Sequence, residues 1–147
     1  MPIGLRGSAR PSCSIGFHEI AREERLRVGF IEAPESGDFR GLLATRLRAI
    51  LLDLDRGAVS KAVTRALGTL KSFAYTLPDG SSIAIDVDAV AGRGDSGVLS
   101  EDITDLLVAT GEAAHDRGTG VVLAIDEVQY LLARQRRRSQ RLSHLFL

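Results

Sequence analysis

The fold of this chain is decided by one stretch of sequence, Val121-Val122-Leu123-Ala124-Ile125-Asp126-Glu127. Its first five residues are apolar, and they follow the turn-forming sequence Arg-Gly-Thr-Gly at 117–120. A short apolar run launched from a turn predicts a strand that is buried on both faces, as in a parallel sheet. Two adjacent carboxylates then stand at the carboxyl end of this strand, which is the edge where open parallel sheets bind ligands.

The acid pair Asp126-Glu127 suits one kind of chemistry in particular. A first carboxylate at a strand end can hold Mg²⁺ through water, and a second can activate a water molecule. The alternative is a core strand followed by the solvent-exposed start of a helix, where acidic residues are common because they interact favourably with the helix dipole. The acid pair alone leaves both interpretations open.

The residues that follow add a family resemblance. Leu-Ala-Ile-Asp-Glu-Val-Gln-Tyr-Leu at 123–131 resembles the Walker B region of AAA-type P-loop ATPases, especially bacterial ATP-binding proteins with an origin-recognition-like ATPase domain. Segments 28–34, 70–73 and 105–120 are also similar to that family, so the resemblance covers about residues 18–131. It implies ATP and Mg²⁺ as cofactors, with Asp126 helping to hold the metal and Glu127 as the catalytic residue that orients or deprotonates the attacking water.

One motif of that family is missing. A P-loop, G-x-x-x-x-G-K-[ST], holds phosphates with its backbone N–H groups and its lysine. The only lysines in this chain are Lys61 and Lys71, and neither follows a glycine-rich turn between a strand and a helix. Gly-Ser-Ala-Arg-Pro-Ser-Cys-Ser-Ile-Gly at 7–16 stands where the loop belongs. The chain therefore lacks the motif that holds the phosphates of ATP in this family.

Codon arithmetic offers an explanation for both ends of the chain. In one shifted reading frame, residues 8–15 can encode V-G-K-T-V-L-L-N, the end of a P-loop and the start of its helix. The match is partial, because Gly4 cannot supply the first glycine of the loop in that frame. In the same phase, residues 132–143 can encode an amphipathic helix. We therefore hypothesise that the middle of the chain is translated in the reading frame of the family and that both ends are translated in a shifted frame. The nucleotide sequence would test this.

Composition places the chain among ordinary soluble domains. It has 147 residues, 44% hydrophobic and 26% charged, with a formal net charge of zero, so no global field favours nucleic acid or an anionic membrane. Cys13 is the only cysteine, which excludes an intrachain disulfide. We find neither an apolar run of membrane-spanning length nor a signal-peptide pattern, and we expect a cytoplasmic location without a membrane partner.

The remaining sequence predicts helices, a hairpin and a loop. Helical spacing of apolar residues predicts one helix after a cap at Asp38 and ending before Gly57, and a second that stops near Gly68. Alternation at Phe73, Tyr75 and Leu77, and again at 83–87, predicts an inserted β-hairpin around Pro-Asp-Gly at 78–80. Gly-Arg-Gly-Asp-Ser-Gly at 92–97 lacks the buried strand that a dinucleotide fingerprint requires, so we expect a flexible loop. A further helix, capped by Ser100, should lead to the strand at 121.

These inferences give an α/β fold, a partial P-loop NTPase core with parallel strands at 28–31 and 121–126. Three regions are expected: a disordered or out-of-frame segment at 1–17, a partial AAA-type ATPase domain at 18–131, and a basic tail at 132–147. Because later strands of the family are absent, part of the sheet should be uncovered. The expected function is that of an ATPase fragment that cannot hydrolyse ATP. The alternative is a non-enzymatic protein that binds a protein partner or, weakly and without sequence preference, DNA through the hairpin and the arginine-rich tail.

Overall fold

The computed structural model describes residues 16, 19–35, 37–77 and 84–130. A short helical segment at 19–23 comes first. The longer elements follow in this order: β1 (Arg27–Glu32), α1 (Phe39–Leu54), α2 (Lys61–Tyr75), α3 (Leu99–Asp116) and β2 (Val121–Asp126). The alternation of strands and helices confirms the α/β class.

The two strands form a parallel sheet. β1 pairs with β2 in a register that runs from Arg27 opposite Val121 to Glu32 opposite Asp126. Because side chains alternate along a strand and paired residues share a face, Ile31, Val121 and Leu123 lie on the face that packs against the helices. This arrangement confirms the predicted pair of parallel strands.

The expectation that β2 is buried on both faces is wrong. The side chains at 121–124 are only partly buried and Ile125 is 39% exposed. On β1, Phe30 is likewise 39% exposed, whereas its neighbour Ile31 is 3% exposed. In the described part of the chain the helices cover one face of the sheet, and Phe30 on the opposite face is partly exposed. The expectation that missing later strands leave part of the sheet uncovered stays a prediction.

The core lies between that face and the three long helices. α1 begins at Asp38, whose carboxylate accepts hydrogen bonds from the backbone N–H groups of Arg40 and Gly41 at 3.1 and 3.0 Å, as the sequence predicted. The helix ends at Leu54, before Gly57. The largest fully buried apolar side chains are Leu47, Leu51, Val63, Leu70, Phe73 and Leu106.

The predicted hairpin is wrong, because α2 continues to Tyr75. Leu70, Phe73 and Leu77 are all buried while Tyr75 is 72% exposed, so the apparent two-residue alternation is the buried stripe of a helix and its C-terminal turn. Residues 84–90, the described part of the predicted second strand, form no strand either. The turn predicted at 78–80 lies outside the described residues.

Residues 84–90 instead form a strap without regular secondary structure, which lies across the helices and bends at 86–87. Three side chains donate to its carbonyl groups: Arg48 to Ala84 at 2.8 and 3.0 Å, Lys71 to Val87 at 2.6 Å, and Ser72 to Val90 at 2.8 Å. Gly68 does not stop α2. It lets the strap approach, because a Cβ at this position would lie 2.7 Å from the carbonyl oxygen of Asp88.

The loop at 92–97 is tied to the start of α3. Asp102, which is 2% exposed, accepts hydrogen bonds from the backbone N–H and the hydroxyl of Ser96, both at 2.7 Å. Asp105 accepts one from the N–H of Gly94 at 3.2 Å. The loop assignment is confirmed, but Ser100 is not the cap: α3 begins at Leu99, and Ser100 lies in its first turn.

Among the described residues, no helix combines the length and apolar character needed to cross a membrane.

Candidate functional site at the carboxyl edge of the sheet

The acid pair lies where the sequence predicted it, at the carboxyl end of β2. Asp126 is the last residue of the strand, and its carbonyl oxygen accepts a hydrogen bond from the N–H of Ala33 at 3.0 Å. The register places Glu32 directly opposite Asp126. The strand is not central in the described sheet, however, because β2 has a neighbour on one side only.

Glu127 marks a sharp change of backbone direction. Its φ of 58° is in the left-handed region that residues other than glycine rarely adopt. Its N–H donates to the carboxylate of Asp126 at 2.8 Å, and its carbonyl oxygen accepts from the N–H of Tyr130 at 3.1 Å. The side chain of Gln129 donates to the Glu127 carboxylate. These contacts hold both carboxylates against a tight turn that ends the strand.

The carboxylate of Asp126 is of the chemical type that binds Mg²⁺, but the described residues place no protein ligand set around it. Within the described residues, no group of three or more His, Cys, Asp or Glu side chains could hold a metal ion. Mg²⁺ commonly keeps several waters and takes one or two carboxylates together with the phosphates of a substrate. Asp126 fits that pattern only if phosphates are held beside it.

Groups that would hold phosphates are not found at this edge in the described part of the chain. The N-terminus of α1, the helix that follows β1, is already capped by the carboxylate of Asp38. Lys71 is bonded to the strap, and Lys61 begins α2, the next helix along the chain. A helix N-terminus and a nearby lysine are the features that bind phosphate in P-loop proteins, so the described residues do not fit the anionic part of a nucleotide.

The electrostatic character of the edge points the same way. Five carboxylates belong to the ends of β1 and β2 and to the turn that leads into α1: Glu32, Glu35, Asp38, Asp126 and Glu127. Such a concentration of negative charge attracts cations and opposes the approach of a free anion.

Glu32 is the residue of this edge that sequence reasoning did not identify. The sequence predicts that the first strand ends at Ile31, whereas Glu32 is the final residue of β1. No local sequence signal marks this position, because the pairing of Glu32 with Asp126 depends on the register between β1 and β2. The stretch at 7–15 and the basic tail at 132–147, to which we assigned the lost P-loop and the arginine run, lie outside the described residues.

Comparison of the chain with protein-family models, with curated proteins and with solved structures found no match in any of the three.

Proposed function

We propose that this chain is a fragment of an AAA-type P-loop ATPase whose nucleotide site is incomplete. The observation that supports this most directly is the parallel pairing of β1 and β2, with Asp126 at the carboxyl end of the strand and Glu127 in the turn after it. In the family that the sequence resembles, the Walker B strand lies between strand 2 of the sheet and a later strand, and β1 would be that strand 2. Asp126 would then be the magnesium-binding residue and Glu127 the catalytic residue.

The same proposal explains why hydrolysis should be absent. Phosphoryl transfer is accelerated mainly by positioning the terminal phosphoryl group and neutralising its charge. Asp126 and Glu127 contribute neither a positive charge nor backbone N–H groups for phosphate. Without a metal ion already carried by a nucleotide, they repel an anionic substrate.

Magnesium-dependent ATP turnover by the purified chain tests the proposal, with Glu127→Gln as the matched variant. We expect both proteins to release phosphate at the same background rate, because the residue that activates water has no positioned substrate. Substantial turnover by the wild-type chain that Glu127→Gln abolishes would show that the phosphate-holding part of the site is present after all.

A restored variant of this chain distinguishes two hypotheses: that the chain is a damaged ATPase, and that it belongs to a protein that never bound nucleotide. In this variant, residues 8–15 and 132–143 are replaced by the sequences of the shifted reading frame. Titration with a fluorescent ATP analogue and Mg²⁺ should give binding by the restored protein and none by the present chain. Lack of binding by a folded restored protein would contradict the family assignment.

The alternative function, a non-enzymatic interaction protein, loses half of its basis. It relied on the hairpin and on the arginine-rich tail, and the hairpin is replaced by α2 and the strap. The tail retains five arginines between 134 and 141 and supports only weak binding to a polyanion.

A further inference from the structure

Among the described residues, the edge of β2 that faces away from β1 carries a row of backbone groups that make no hydrogen bond. Hydrogen bonds to β1 use the carbonyl oxygens of Gly120, bonded to Arg27 N–H at 2.8 Å, and of Asp126, bonded to Ala33 N–H at 3.0 Å. Because backbone groups alternate along a strand, residues 120, 122, 124 and 126 point toward β1. The N–H and C=O groups of Val121, Leu123 and Ile125 therefore point away from it, and no hydrogen bond of the described residues engages them.

Nothing in the sequence of β2 protects this edge. Natural edge strands are usually guarded by a lysine, a proline, a bulge or an inward-pointing charge. Residues 121–125 contain none of these, and the strand is only partly buried. β1 differs, because it begins with Arg27 and has Gly29 at its middle, whereas both strands end in a carboxylate residue. Of the two edges of this sheet, that of β2 is therefore the more suited to pairing with another strand.

The charges at the two ends of the sheet indicate what that strand is. Arg25 lies beside the amino end of β2, where its carbonyl oxygen accepts from the hydroxyl of Thr119, and Asp126 lies at the carboxyl end of β2. Arg27 is already paired with Asp53 at 2.7 Å, so the two charges that act on the pairing are those of Arg25 and Asp126. A second copy that pairs antiparallel would bring its acidic end beside the basic end of the first copy, and this would happen twice in a two-fold dimer.

We propose that the chain forms a symmetric homodimer in which the β2 strands of two copies pair antiparallel across Leu123. In this register Leu123 lies opposite its own counterpart, Val121 opposite Ile125, and Asp126 opposite Gly120. The three exposed N–H groups of each strand then donate to the three exposed carbonyl groups of the other. The result is one continuous four-stranded sheet, and this inference does not depend on the proposed nucleotide chemistry.

A pair of substitutions at Ile125 tests the hydrogen bonds separately from the side chain. Ile125→Pro removes an edge N–H that makes no bond within the described residues, and Ile125→Thr removes the same apolar side chain but keeps that N–H. Sedimentation velocity over a concentration series should show dimers for the wild type and Ile125→Thr. Ile125→Pro should remain monomeric. A monomeric wild type, or equal dimerisation of the two variants, would overturn the proposal.

Two charge-reversal variants test the antiparallel register. They also test the dimer itself if Ile125→Pro does not fold. Asp126→Arg and Arg25→Glu each place like charges at both ends of the dimer, so each should dimerise at least about tenfold more weakly than the wild type. An equimolar mixture of the two variants should form a heterodimer, because it restores opposite charges at both ends. Two single variants that dimerise like the wild type, or a mixture that stays monomeric, would refute this register.

Discussion

At the scale of single residues, two glycines inside helices have opposite surroundings. A Cβ on Gly68 would lie 2.7 Å from the carbonyl oxygen of Asp88 and equally close to a methyl group of Val90. A Cβ on Gly111 in α3 would meet nothing within 4 Å. The first glycine is therefore required by packing against the strap, whereas the second is not.

We expect Gly68→Ala and Gly111→Ala to change stability in opposite directions. Alanine in an exposed helix interior stabilises by roughly 0.5–1 kcal/mol relative to glycine, and Gly111→Ala should show this gain. Gly68→Ala should instead cost roughly 1–3 kcal/mol, because backbone atoms of the strap must move to admit the methyl group. Urea denaturation of both variants measures the difference. A stabilised Gly68→Ala protein would show that the strap does not pack on α2 as described.

Gly29 gives a second residue-level prediction, this time for the sheet. A Cβ there would lie 2.7 Å from Leu123, 2.9 Å from Arg46 and 3.0 Å from Ile50. Side chains of β2 and α1 therefore both pack closely against Gly29. We expect Gly29→Ala to destabilise the protein by roughly 1–3 kcal/mol, since several side chains must shift together. Thermal unfolding followed by circular dichroism measures this, and an unchanged midpoint would contradict such close packing of α1 on the sheet.

At the scale of elements, the start of α3 depends on a residue inside the helix rather than on the residue at its cap position. Val98 holds the cap position but offers no side-chain hydrogen bond, and Asp102 reaches back to Ser96 instead. Asp102→Ala should cost roughly 1–3 kcal/mol, because it removes two hydrogen bonds that the buried Asp102 carboxylate accepts from Ser96. Ser100→Ala should change stability by less than about 0.5 kcal/mol, as expected for a surface position. Equal losses for the two variants in urea denaturation would restore Ser100 as the cap.

The elements also show which sequence signals were sufficient. β2 was identified because five apolar residues after a glycine turn leave few alternatives, and α1 because Asp38 and Gly57 mark its two ends. The segment at 70–77 was ambiguous, since Leu70, Phe73 and Leu77 fit a helix while Phe73, Tyr75 and Leu77 fit a strand. Tertiary burial of Phe73 on the core decided it. The strap was not predictable, because it is held by side chains of α1 and α2 that are distant in sequence.

The candidate site was predicted in position but not in surroundings. The acid pair follows the apolar run so closely that its place at the strand end required only the strand itself. The pairing partner of β2 and the left-handed turn at Glu127 depend on chain packing, and no local pattern in the sequence indicates either. The open edge of β2 likewise depends on which strands are present, not on its own residues.

At the scale of the whole molecule, the distribution of charge limits any binding to nucleic acid. The five arginines at 134–141 belong to a segment, 132–147, that contains no acidic residue. Since the chain as a whole has a formal net charge of zero, the remaining residues carry a net charge of −5. The body of the protein therefore opposes the approach of a polyanion that the tail attracts.

We expect this protein to bind double-stranded DNA weakly, without sequence preference, and through the tail alone. If all five arginines contact phosphates, the logarithm of the binding constant should fall with the logarithm of salt concentration with a slope of about −4.5. The tail has no interleaved aromatic residues to stack on bases, so no sequence-dependent contribution should remain at high salt. Fluorescence anisotropy at several salt concentrations measures the slope. Replacing the five arginines by lysine should preserve binding, and replacing them by glutamine should abolish it. Sequence-selective binding that survives high salt would contradict this prediction and would favour a dedicated nucleic-acid site.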